Sequence, residues 1–231
     1  MTEQPVDIAV KLQAYLNQQI CRMLPDARLL WQSLPQCPSL GLWLVDPVPL
    51  RRPFSAEEIT RIETFPAYWA FCWASGQWMA HALLQTPALV AGKRVLDFGA
   101  GSGVAGIAAA RAGAGEVVFC DIDDDAIQSC VLNARANGVE NLCQTAGDVF
   151  ALDDHFDVVL AADVLYDRAN LPLLDRLLEL GDEVWVADSR IRNFSHPQFQ
   201  RIEAAESFTF PDLDESAEFR RVTLYRGSAS E

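Results

Sequence analysis

The stretch Val95-Leu96-Asp97-Phe98-Gly99-Ala100-Gly101-Ser102-Gly103 decides how this chain is read. An apolar strand ends beside an acidic residue and runs straight into alternating glycines. Glycine enters left-handed backbone angles at no steric cost and lets a ligand approach the main chain, so Gly99, Gly101 and Gly103 mark a sharp bend over a ligand. Residues 104–112 have helical character, and a helix starting there leaves its first N–H groups unpaired toward that ligand. From residue 93 onward strand and helix patterns alternate, the mark of a parallel sheet covered on both faces. Strands are predicted at 95–98, 116–120, 142–146, 156–162 and 184–187. Helices are predicted between Asp123, a cap, and Gly138, a stop, and at 171–180. The last strands, near Phe208 and at 221–225, have no periodic helix between them, which predicts an antiparallel hairpin.

The bend admits two kinds of nucleotide. Gly101-Ser102-Gly103-Val104-Ala105-Gly106 also satisfies the dinucleotide fingerprint, and a nicotinamide cofactor would lay its pyrophosphate on the helix N-terminus. Asp97 stands two residues before the first glycine, where a carboxylate repels a diphosphate. S-adenosylmethionine has no phosphate and carries a sulfonium and an ammonium, which that carboxylate attracts. Ligands in such sheets lie beyond the carboxyl ends of the strands, and five acids fall there: Asp97, Asp121, Asp148, Asp163 and Asp188. Asp121 lies at the distance past the glycines expected for a carboxylate on the ribose hydroxyls, the role of helix cap suiting Asp123 better. Asp148 is expected to accept from the adenine amino group while Ile122 and Val149 sandwich the ring; a solvated turn residue is the alternative.

Together these residues resemble the class I, seven-stranded S-adenosylmethionine-dependent methyltransferases, over residues 93–188. The resemblance implies a Rossmann-like, doubly wound, mostly parallel seven-stranded α/β sheet with an antiparallel C-terminal hairpin. A second, narrower resemblance lies in Pro66-Ala67-Tyr68-Trp69-Ala70-Phe71-Cys72-Trp73-Ala74-Ser75-Gly76-Gln77 and in Asp163-Val164-Leu165-Tyr166. Both segments are similar to the protein lysine methyltransferases that include the electron-transfer-flavoprotein β-subunit enzyme. Ala74 replaces the proline of many relatives, and Asp188-Ser189-Arg190 departs from their proline- and glycine-containing turn at the substrate mouth. The resemblance implies an N-methyltransferase whose acceptor is a protein lysine. A small-molecule amine methyltransferase, a nicotinamide-dependent oxidoreductase and a non-catalytic adaptor that keeps the fold are the alternatives.

The chemistry suits the residues. A lysine amine attacks only when neutral, yet its free pKa is about 10.4. A desolvated site eases loss of the proton, and a carboxylate orients the ammonium beforehand. Asp163 and Tyr166 are the candidate catalytic residues, Asp163 for positioning rather than as a strong base. Trp69, Trp73 and Tyr166 are expected to present aromatic faces to the amine, each cation–π contact contributing roughly 0.5–2 kcal/mol. Core packing is the alternative for the tryptophans. Trp73 also suits the cofactor's methionine end, with Gln77 or Gly76 beside it. Arg190 and Arg192 follow the fifth strand, where they bind a substrate carboxylate or lie in a solvated loop.

Length and composition bound the rest. The 231 residues fit one domain, 66–231, preceded by an N-terminal extension, 1–65, that packs on it. In the extension a helix is predicted over 6–23, a strand at 41–45, and a capping box at Ser55 and Glu58. The net charge of −14 argues against a nucleic-acid partner, whose phosphates need clustered Lys and Arg. The acidic run Asp212, Asp214, Glu215 and Glu218 is expected to be solvated, with steering of a basic protein toward the mouth as the alternative. Six scattered cysteines without a Cys-x-x-Cys pair predict buried reduced thiols. No apolar run reaches membrane length and no leader pattern opens the chain, so the expected setting is cytoplasmic. His81, His155 and His196 have no ligand-spaced partners, so no metal is expected. Nothing in the sequence fixes an oligomeric state.

Overall fold

The structure is a computed structural model that describes residues 5–191 and 194–228; Arg192 lies outside the described residues. The chain opens with helix α1 (Pro5–Met23), followed by strands β1 (Leu29–Ser33) and β2 (Gly41–Val45). These two strands pair antiparallel in a small sheet of their own. Only the second was predicted. Leu29 is the one buried residue of β1, so its sequence carries no alternation to read. Helix α2 (Ala56–Thr64) starts on the predicted capping box, with Ser55 and Glu58 bonded reciprocally. Helix α3 (Ala74–Gln85) follows a short 3-10 turn at Tyr68–Ala70.

The rest builds the main sheet. Strand β3 (Arg94–Phe98) leads to α4 (Val104–Arg111), β4 (Glu116–Cys120) to α5 (Asp124–Ala136), and β5 (Cys143–Ala146) to β6 (Phe156–Ala162). Helix α6 (Leu173–Leu180), β7 (Gly181–Asp188), β8 (Phe199–Glu206) and β9 (Arg221–Gly227) complete it. The strand order is β5-β4-β3-β6-β7-β9-β8. The first five are parallel, and β9 runs antiparallel between β7 and β8. The predicted doubly wound sheet with a reversed hairpin is therefore present. The hairpin's first strand is Phe199–Glu206 rather than near Phe208, because an edge strand exposed on both faces shows no apolar periodicity.

Two hydrophobic clusters cover the faces of this sheet, one under α3, α4 and α5 and one under α6. A third joins Leu16 and Ile20 of α1 to Ala67, Trp69 and Phe71 and to Ala126 and Leu132 of α5. Asn133 of α5 and Asn137, its C-cap, tie the small sheet down, accepting from the amides of Trp43 (2.7 Å) and Gly41 (3.3 Å). The segment after residue 65 thus shares one core with the helix that precedes it. None of the six cysteines forms a disulfide, and Cys37, Cys72, Cys120 and Cys130 are buried. No described helix is long and apolar enough to cross a membrane.

Candidate active site

A cavity of about 860 Å³ opens at the carboxyl ends of β3, β4 and β6. Its first wall is the glycine bend. Gly99 and Gly101 line it with φ of 64° and 52°. A side chain at Gly99 would also place Cβ 2.6 Å from Val164 Cγ1, so this position needs glycine twice over. Asp121, at the end of β4, aims its carboxylate along the same wall. Its Oδ2 accepts from the Gly101 amide (2.9 Å) and its Oδ1 from the Asp123 amide (3.0 Å). Burial raises the Asp121 pKa, and the Asp123 and Gly101 amides oppose that rise. Ile122, Asp148 and Val149 line the cavity beside it. Ile122 is 87% exposed at the mouth while Val149 is buried, so one apolar residue stands free and the other forms the floor. Asp148 spends one oxygen on the amide of Phe150 (2.9 Å), capping its own turn.

Asp97 and Asp188 are placed otherwise. Neither lines the cavity, and each is only 2% exposed. Asp97 Oδ2 accepts from the Gly106 amide at 2.8 Å. Gly103 is the N-cap of α4, at φ 77°, and has no side chain with which to cap it. The strand carboxylate performs that service from below. Burial, with Asp121 nearby, pushes Asp97 up to about 7. The expected attraction between Asp97 and a bound cation is therefore corrected: this carboxylate holds helix to strand. One amide of the α4 N-terminus, that of Gly106, is thus already taken by a protein acid. Asp188 accepts from the amides of Leu165, Arg190 and Ile191 and is pushed up to about 6, first by burial and then by Asp163. Gly103 does not line the cavity either; a side chain there would press on Cys130.

The opposite wall is aromatic. Tyr68, Trp69, Trp73 and Tyr166 line it with Asp163. The Tyr68 ring lies 5.9 Å, centroid to centroid, from both Trp73 and Tyr166. The Trp73 indole N–H donates to the Tyr68 carbonyl at 3.0 Å, which fixes the ring at the head of α3. Trp69, 3% exposed, belongs to the N-terminal core and also lines the cavity. Tyr166 is 60% exposed, and its pKa is raised by partial burial and by Tyr68, Asp121 and Asp167. Asp163 closes β6 at φ 52°, a left-handed angle rare for a residue with a side chain. Its Oδ1 accepts from both hydroxyl and amide of Ser189 (2.8 and 2.9 Å) and from the Ser75 hydroxyl (2.7 Å), and its Oδ2 from the Ser75 amide (2.8 Å).

Arg190 lines the cavity with its guanidinium already engaged by the protein. It is ion-paired with Glu215 and stacks 4.4 Å from the Phe219 centroid and 5.4 Å from that of Trp73. Glu215, expected in a solvated acidic run, is instead ion-paired with Arg190, its side chain only 14% exposed. Gln77 is fully buried, bonded to the Gln36 amide and the Phe208 carbonyl, and stands away from the cavity. Sequence reasoning missed Gln19 and Arg22, which reach the cavity from α1; only the packing of α1 on α5 brings them there. It also left Tyr68 unassigned, although the aromatic run 68–73 contains it.

The acceptors and walls suit S-adenosylmethionine: carboxylates at Asp121 and Asp148, apolar surfaces at Ile122 and Val149, and a glycine bend that a Cβ at residue 99 would obstruct. Comparison with known proteins agrees. The family of "Ribosomal protein L11 methyltransferase (PrmA)" matches residues 79–176. An electron transfer flavoprotein beta subunit lysine methyltransferase of Danio rerio is 34% identical over 152 residues, 63% of this chain and 59% of that protein. The ribosomal protein L11 methyltransferase of Syntrophotalea carbinolica is 48% identical over 80 residues, 34% of this chain and 26% of that protein. The chain thus spans little more than half of the first relative and about a quarter of the second. A Pyrococcus horikoshii structure assigned as an RNA methyltransferase superposes with a TM-score of 0.51 at 18% identity, over 68% of this chain and 83% of that one, and shows the shared fold. Motif, strand order and sequence relatives together make the chain similar to the class I, seven-stranded S-adenosylmethionine-dependent methyltransferases.

Proposed function

We propose that this chain transfers a methyl group from S-adenosylmethionine to the side-chain amine of a protein lysine. The observation that carries the reading is that one cavity holds both halves of such a site. The glycine bend with Asp121 forms one wall, and the aromatic wall with Asp163 forms the other. Asp121 would take the ribose hydroxyls, Asp148 the adenine amino group, and Ile122 and Val149 the faces of the ring. The bound cofactor supplies an electrophilic methyl on a sulfonium.

The chain's own residues do the rest. Tyr68, Trp73 and Tyr166 present ring faces to a cationic amine and exclude water around it. Asp163 orients the ammonium through its carboxylate. Tyr166, with its raised pKa, keeps its phenolic proton near neutral pH and so acts as donor and wall, not as base. The acceptor's proton is lost to bulk water through the open mouth before the neutral amine attacks the methyl. Asp163 is already heavily engaged as a hydrogen-bond acceptor, which suits positioning and not proton storage.

The test is to incubate the purified protein with methyl-labelled cofactor in a lysate of its own cells and map the label. Label on lysine within a protein is the expected result. Label confined to the low-mass fraction would instead identify a small-molecule amine acceptor. No transfer, together with no heat of binding for S-adenosylhomocysteine, would overturn the proposal.

A further inference from the structure

We infer that Ser75 and Ser189 are positioning residues that set the orientation of the Asp163 carboxylate and leave one oxygen of it for the acceptor amine. The inference rests on the proposed function and goes beyond it by assigning roles to two residues and one atom. Ser75 sits in the first turn of α3 and is fully buried; Ser189 directly follows β7 and is 8% exposed. They approach Asp163 from two different elements, 88 and 26 residues away in sequence.

The four donors are unequally shared. Three reach Oδ1, at 2.7, 2.8 and 2.9 Å, and one reaches Oδ2, at 2.8 Å. A carboxylate oxygen has two lone pairs, so Oδ1 is saturated. Oδ2 keeps one acceptor direction, and Asp163 lines the cavity. The last torsion of an aspartate is a broad, nearly twofold rotor, so a lone aspartate at a strand end would not hold one oxygen toward a ligand. Capping α3 requires only the Ser75 amide on Oδ2. The two hydroxyls and the Ser189 amide add nothing to that cap; they lock the torsion. The left-handed backbone of Asp163 fits the same picture, since such an angle persists where surrounding bonds over-determine it.

Ser75→Ala and Ser189→Ala test this cleanly because each deletes a hydroxyl and keeps the amide donor. Each is expected to lower kcat for methyl transfer about tenfold, the scale of one lost hydrogen bond to a charged group, and the double variant further. Affinity for S-adenosylhomocysteine, measured by calorimetry, is expected to stay unchanged in the same variants. Ser189→Thr, which keeps a hydroxyl, is expected to restore turnover. Wild-type kcat in both alanine variants would overturn the inference. So would a loss of kcat accompanied by an equal loss of cofactor affinity and melting temperature, as simple core damage would give. Absence of transfer by the wild-type protein would instead defeat the proposed function itself.

Discussion

The two walls of the cavity are built in different ways. On the wall formed by the glycine bend, the Asp121 carboxylate is held within one β3–α4–β4 unit and the turn that follows it. Asp121 is held by amides two and twenty residues away, and the bend follows its own strand directly. On the aromatic wall Asp163 and Arg190 are held by distant segments, while Trp73 is held by a near neighbour. Asp163 is fixed from α3 and from the end of β7, Arg190 by Glu215 and Phe219, and Trp73 by the 3-10 turn before α3. A locally built wall suits a ligand of constant shape. A wall assembled from distant segments changes with any one of them, which suits the part of an enzyme that distinguishes one acceptor from another.

Variants on the two walls are expected to separate binding from turnover. The largest effect is expected from Asp163→Ala, which orphans four donors, two of them on the buried Ser75. Methyl transfer should fall by more than about a hundredfold, and the melting temperature should drop with it, while S-adenosylhomocysteine still binds. Next comes Asp121→Ala, expected to weaken cofactor binding roughly ten- to hundredfold by calorimetry, since the bend and the ribose lose one acceptor together. Equal loss of cofactor affinity in both variants would erase the distinction between the walls. Arg190→Ala, which frees Glu215 and uncovers Trp73, should raise KM for the protein acceptor several-fold and leave cofactor affinity intact.

The smallest effect concerns stability alone. Asp97 has its folded pKa raised from 3.8 to about 7, so the stability tied to its protonated form is complete below about 4 and is lost as pH rises through about 7. Asp188, raised to about 6, adds in the same sense. Asp97→Asn keeps an acceptor for the Gly106 amide and cannot ionise. Its melting temperature should fall less than that of the wild type between pH 5 and pH 8, by thermal unfolding. Parallel curves would remove Asp97 from this account.

The strand–glycine–helix unit, the parallel strands and the capped helix α5 were legible because each is written in contiguous residues. Strand β1 and strand β8 were not, since a strand with one buried residue, or exposed on both faces, has no period to detect. The acids show the same limit. Five carboxylates end five strands, but sequence position does not say which way a side chain turns. Asp121, Asp148 and Asp163 face the cavity, whereas Asp97 and Asp188 face inward to helix and loop amides.

By itself, then, the sequence determined the sheet, the glycine bend and the carboxylate at the end of β4, because backbone sterics and periodic burial act over a few residues. Only the tertiary structure decided that Gln19 and Arg22 share a cavity with Tyr166, that Glu215 holds Arg190, and that two serines grip Asp163. Contacts of that kind depend on how layers pack across the sheet, and side chains brought together by packing leave no spacing in the chain to be read.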